Sequence, residues 1–161
     1  IITGGAQERG YRAGTESIHD IVGMDASLEI AYKNIVSEKD FILSLKTYFT
    51  DRLKEEISGI EFNGCSDDFS KSTYTLVNVC LPVAKEKAPL FLFQLDLKGI
   101  ACSKGSACQR GSTTGSHVLN EILSEENLKK PSIRFSFSCF NTTKEIDTVV
   151  HTLKTLVMES A

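Results

Sequence analysis

No apolar run in these 161 residues approaches the ~20 consecutive positions that a membrane-spanning helix needs, so a soluble protein without a membrane partner is expected. Charge of one sign is also scarce. The 18 basic and 21 acidic side chains leave a net charge of −3, which gives no overall pull toward nucleic acid or anionic lipid and makes any basic patch local. Internal repeats and low-complexity linkers are absent, and the length suits one domain with a proper core. A secretion signal is not expected. Five cysteines, Cys65, Cys80, Cys102, Cys108 and Cys139, make an odd number that reads as reduced cytoplasmic thiols rather than a disulfide frame, leaving one free for chemistry. Cys102 and Cys108 form C-x5-C, which is not a usual short ligand spacing, so no metal is expected. The opening IITGGAQERGYRAGTES, without a methionine, reads as the middle of a longer protein.

What is present organises as follows. Thr15 or Ser17 can cap a helix carrying Ile18, Ile21, Val22, Met24 and Leu28 to about Asn34, with Gly23 costing about 1 kcal/mol in its interior. Ser37 is expected to cap a second helix with Ile42, Leu45, Phe49, Leu53 and Ile57 on one face and Gly59 as its stop. The β-branched stretch Tyr74 to Leu81 predicts a strand, with Ile60 to Asn63 as a short partner. Pro89 and Gly99 bracket a helix over 88–98, whose apolar residues imply burial on more than one side. Gly99 to Cys102 then predicts a short strand, and Ser116 to Leu123 a brief helix. In SIRFSFSCF, Ile133, Phe135, Phe137 and Cys139 alternate with polar residues, which assigns one strand face to the core and puts Arg134 on the other. Thr142 and Glu145 form a capping-box pattern for a final helix. The fold class expected is α+β, a mostly antiparallel sheet with helices packed on one face.

Three segments could carry chemistry. Between Gly99 and Asn120 there is no carboxylate, while Lys104, Arg110 and His117 surround Cys108 with potential positive charge. Such surroundings favour thiolate, the nucleophilic form, and neighbouring glycines and serines allow a loop to move. The residues alone leave open a surface loop that happens to contain a thiol. Arg134 can offer its planar fork to a carboxylate or form a structural ion pair. The opening GGAQERGYRAGTES, with Thr15 just before a helix start, has the ingredients of an anion site but matches neither a Walker loop nor a dinucleotide fingerprint. His19, His117 and His151 read as surface or half-buried histidines, and Cys102 as packed.

Together these segments resemble one family. GGAQERGYRAGTES resembles the GGGQE-R-x-RxGTxN signature of class V aminotransferase-like enzymes of fold type I; ACSKGSACQRGS resembles the GSAC loop of NifS/IscS-type cysteine desulfurases; SIRFSFSCFNTTKEID resembles their closing motif. The resemblance implies pyridoxal 5′-phosphate chemistry that converts L-cysteine to L-alanine. It makes Cys108 the persulfide carrier, Arg134 the ligand of the substrate carboxylate and Thr15 a contact of the cofactor phosphate. It further implies a homodimer and a sulfur-acceptor or iron–sulfur scaffold protein as partner. Residues 1–17 would continue from an absent large domain that carries the cofactor lysine, and 18–161 would be the small domain, inactive alone. Departures include QRGSTTGS after Cys108, Ala6 in place of glycine and Ser17 in place of asparagine. Alternatives are a selenocysteine lyase, an aminotransferase relative, or a non-catalytic persulfide carrier.

Overall fold

A computed structural model describes residues 2–104 and 116–160. The chain divides into two compact units, Ile1–Ser37 and Glu38–Ala161. Helix α1, Ile18–Glu56, runs through both. The expected break at Ser37 does not occur, because no glycine or proline interrupts positions 24 to 58 and the Ser37 hydroxyl donates backward to the Asn34 carbonyl at 3.0 Å. A capping serine would instead accept from an amide further along. At the start of α1, Ser17 holds the first position, its carbonyl accepting from the Ile21 amide at 3.1 Å and its hydroxyl donating to Asp20 at 2.5 Å. Gly59, at φ 79°, follows the helix end as its residue type predicts.

In the second unit, β1 (Glu61–Phe62), β2 (Leu76–Cys80) and β3 (Ser132–Ser136) form an antiparallel sheet in that order, with Phe62 opposite Val79 and Asn78 opposite Arg134. Helices α2 (Ala88–Leu97), α3 (His117–Ile122) and α4 (Thr143–Met158) complete it. Val77 and Val79 of β2 and Ile133 and Phe135 of β3 join Leu45, Phe49 and Leu53 of α1, Phe91 and Leu95 of α2, and Val150 and Leu153 of α4 in one buried cluster. Each such side chain contributes ~1.5–3 kcal/mol on burial, so α1, α2 and α4 are held to one face of the sheet.

Three expectations are corrected. Helix α2 buries Phe91 and Leu95 but leaves Leu90, Phe93 and Leu97 exposed, so it uses one stripe rather than several. Gly99 to Cys102 is not a strand: the Gly99 amide bonds Asp96 at 2.9 Å and the Ile100 amide bonds Leu95 at 3.0 Å, which spends both residues on closing α2. Strand β3 stops at Ser136, short of Cys139, because the Asn141 side chain accepts from the Ser138 amide at 2.8 Å and turns the chain. One residue was not marked by the pattern. Lys46 of α1 is fully buried, donating to Ser72 Oγ at 2.7 Å and the Thr73 carbonyl at 2.8 Å, and burial lowers its pKa against an opposing pull from Asp67.

The capping box at α4 forms as its sequence predicts: the Thr142 amide donates to Glu145 at 2.7 Å and the Glu145 amide to Thr142 Oγ1 at 3.3 Å. Thr142→Ala is expected to cost ~1 kcal/mol in urea unfolding. Ser37→Ala should change stability by less than about 0.5 kcal/mol, since no cap is lost. A loss at Ser37 as large as that at Thr142 would restore a helix boundary there.

Candidate active site

The alternation that sends Ile133 and Phe135 inward sends Arg134 to the opposite face, where it is half-buried. Its partner on one side is Asn78, and on the other side Ser103 forms an isolated antiparallel bridge with it. The Ser103 amide donates to the Arg134 carbonyl at 3.1 Å, and the Arg134 amide donates to the Ser103 carbonyl at 2.7 Å. Directly opposed residues project to the same side of a sheet, so Ser103, Arg134 and Asn78 share the face away from the core. Asn78 is fixed there by Asn63, whose Nδ2 donates to Asn78 Oδ1 at 3.0 Å, and by Ser66 Oγ, which donates to the Asn78 carbonyl at 2.8 Å.

Ser103 precedes Cys108 by five positions. Cys108 itself lies outside the described residues, but the chain enters its segment from a point bonded to Arg134. The arginine and the root of the cysteine loop are therefore side by side within one unit. Nothing in the local pattern singles out Ser103, because its pairing is a single rung left over after Gly99 and Ile100 close α2.

Thr15 belongs to the first unit and is exposed. Arg12 braces the turn around it, donating to the Gly14 carbonyl at 3.1 Å and the Thr15 carbonyl at 3.4 Å and pairing with Glu16 at 3.6 Å. Just upstream, Glu8 and Arg9 occupy the left-handed region at φ 49° and 56°, a conformation costing roughly 1–2 kcal/mol per residue for side chains of this kind. The histidines stand as read: His19 lies beside Ser17 and Asp20, and His117 and His151 are exposed.

Cys102 is half-buried, and burial, aided by Asp96, pushes its thiol up to about 11. Burial likewise raises the Cys80 thiol, with Glu61 adding to the effect. Both are protonated at neutral pH and make poor nucleophiles. Because an unfolded cysteine titrates near ~8.5, the stability tied to the neutral Cys102 thiol is complete below that pH and is lost as pH rises through about 11. Native-state alkylation read by peptide mapping should leave Cys102 slow at pH 8 while the exposed Cys65 reacts. Equal rates at the two would contradict the packed assignment.

Residues 3–149 match the family model described as aminotransferase class-V. The chain is 31% identical over 157 residues to a cysteine desulfurase IscS of Dictyoglomus turgidum, covering 98% of this chain and 39% of that protein. It is 35% identical over 150 residues to a mitochondrial cysteine desulfurase of Arabidopsis thaliana, covering 93% of this chain and 32% of that protein. Among solved structures, a NifS-like protein from Rickettsia africae matches with a TM-score of 0.72 at 25% identity over 97% of this chain and 39% of that one. The chain thus spans between 32% and 39% of the length of these relatives. With the family model running over nearly the whole chain and NifS- and IscS-named proteins matching it in sequence and fold, the chain belongs to the class-V aminotransferase family, as a NifS/IscS-like member.

Proposed function

We propose that this chain is the small domain, residues 18–161, of a cysteine desulfurase, entered through residues 1–17 from a larger cofactor-binding domain. The single observation that supports the reading is the rung between Ser103 and Arg134, which makes Arg134 a neighbour of the start of the segment that carries Cys108. The names of the relatives support the same chemistry.

Arg134 binds the carboxylate of L-cysteine through its planar guanidinium, fixing the orientation of the substrate. The thiolate of Cys108, favoured by the acid-free surroundings of Lys104, Arg110 and His117, attacks the substrate sulfur. A sulfur–sulfur bond forms and the substrate's carbon–sulfur bond breaks. The electron pair stays with carbon, which takes up a proton to give L-alanine, while Cys108 holds the persulfide. Pyridoxal phosphate, when bound, supplies the electron sink that makes this bond cleavage possible. The residues present fit one end of that group: the exposed Thr15 hydroxyl, on a turn braced by Arg12 and close to the start of α1, suits its phosphate. In this reading the enzyme is a homodimer in a reducing cytoplasmic compartment, and it hands its sulfur to an acceptor such as an iron–sulfur scaffold.

The test is cysteine-dependent production of alanine and sulfide, with added pyridoxal phosphate, by the protein expressed from its natural reading frame. Cys108→Ser should abolish turnover, and Arg134→Lys should raise KM for cysteine by roughly tenfold or more, since an ammonium cannot reproduce the bidentate fork. The 161-residue chain alone should be inactive. Undiminished sulfur release by Cys108→Ser would overturn the assignment.

A further inference from the structure

Asn78 and Arg134 form a narrow pair across β2 and β3. The Arg134 amide and carbonyl both turn away from β2, to Ser103 at 2.7 and 3.1 Å. Those of Asn78 turn the other way, to Ser66 Oγ, which donates to the Asn78 carbonyl at 2.8 Å and accepts from its amide at 3.2 Å. Neither backbone is left to bond the other, which makes this the non-hydrogen-bonded kind of antiparallel pair, where Cα atoms stand ~4.5 Å apart and side chains lie closest. Both side chains leave the core face together, and both residues are half-buried. The Asn78 side chain is held by one end only. Asn63, itself buried, donates from Nδ2 to Asn78 Oδ1 at 3.0 Å and to Ser132 Oγ at 3.0 Å, so it ties the residue opposite Arg134 to the one two positions before it. That bond makes Oδ1 the held end, and Asn78 Nδ2, a donor, meets no acceptor among the described residues. Side-chain amides that serve structure alone inside a protein have their polar atoms paired in the large majority of cases.

We propose that Asn78 is a second binding residue for the substrate carboxylate, donating from Nδ2 beside the Arg134 guanidinium, and that Asn63 is the positioning residue that aims it. The proposal rests on the desulfurase reading, in which Arg134 takes the carboxylate of L-cysteine. An ionised carboxylate offers about four lone-pair sites, of which a bidentate guanidinium occupies two. A donor on the adjacent strand takes a third. A planar fork alone leaves the carboxylate free to tilt about the line joining the two groups, whereas a donor approaching from the side restrains that tilt and with it the direction in which the substrate sulfur lies. Because the amide is uncharged, it adds this restraint without repelling the guanidinium.

The experiment is isothermal titration calorimetry of the protein expressed from its natural reading frame and loaded with pyridoxal phosphate. The probes are L-alanine, the product that keeps the carboxylate, and ethylamine, which is alanine without it. Asn78→Ala is expected to weaken L-alanine by about tenfold or more, the scale of one hydrogen bond to a charged group, and to leave ethylamine within about twofold. Asn63→Ala removes the brace but not the donor, and should weaken L-alanine by a smaller factor of about three. Asn78→Asp keeps the shape and the oxygen that Asn63 bonds while replacing the donor by a negative charge, so it should lower L-alanine affinity at least as far as Asn78→Ala. KM for L-cysteine should rise by the same factors while kcat moves much less, because the lost contact is made in the bound substrate and the transition state alike. Undiminished L-alanine affinity in Asn78→Ala or Asn78→Asp, or an equal loss for ethylamine, would overturn the proposal. Arg134→Lys, measured alongside, separates the two claims. If it weakens L-alanine and the Asn78 variants do not, the role of Asn78 falls and the desulfurase reading stands; if none of them matters, the carboxylate site of that reading falls as well.

Discussion

The register of β3 against β2 is the constraint on which both the core and the site depend. With Asn78 opposite Arg134, Ile133 and Phe135 enter the helix-covered face and Arg134 leaves it. A slip of one residue would exchange the two faces, burying a guanidinium and exposing the pair of apolar side chains. Phe49 of α1 guards this register from the core side, meeting Phe135 and Phe137 edge-on with ring centroids 5.1 and 5.5 Å apart. Aromatic pairs in that geometry contribute about 0.5–1.5 kcal/mol beyond their burial. Packing on one face therefore sets the position of chemistry on the other.

The approach to the loop is built with equal economy. Closing α2 consumes Gly99 and Ile100, with Ile100 buried against the core, and the chain then reaches the sheet with a single rung at Ser103. That rung ties Ser103 to Arg134, at the start of the segment that carries Cys108. In the desulfurase reading, a thiol must visit the substrate and later meet an acceptor, a task for which a thiol embedded in the core, as Cys80 is, is unsuited.

Much of this was legible in the sequence because it rests on local chemistry. The alternation in SIRFS gave β3 its faces, Thr142 and Glu145 gave α4 its start, and Pro89 and Gly99 bracketed α2. Errors arose where one residue type can play two parts. Ser37 has the chemistry of a cap but bonds backward within α1, and the apolar residues of α2 outnumber those for which the second unit provides cover. The features with no local signature are tertiary. Lys46 is buried because Ser72 and Thr73 come to it from a distant connection, and Asn63 meets Asn78 and Ser132 only after folding.

The central claim is that Cys108, five positions beyond the Ser103 that pairs with Arg134, receives the sulfur. Its most direct test is to supply the protein from its natural reading frame with heavy-isotope-labelled L-cysteine and pyridoxal phosphate, quench early by alkylation, and locate the labelled sulfur by peptide mass spectrometry. The account predicts label on the peptide containing Cys108 and none on those containing Cys65, Cys80, Cys102 or Cys139. Label on one of those four instead, or turnover with no protein-bound sulfur at any time, would contradict it.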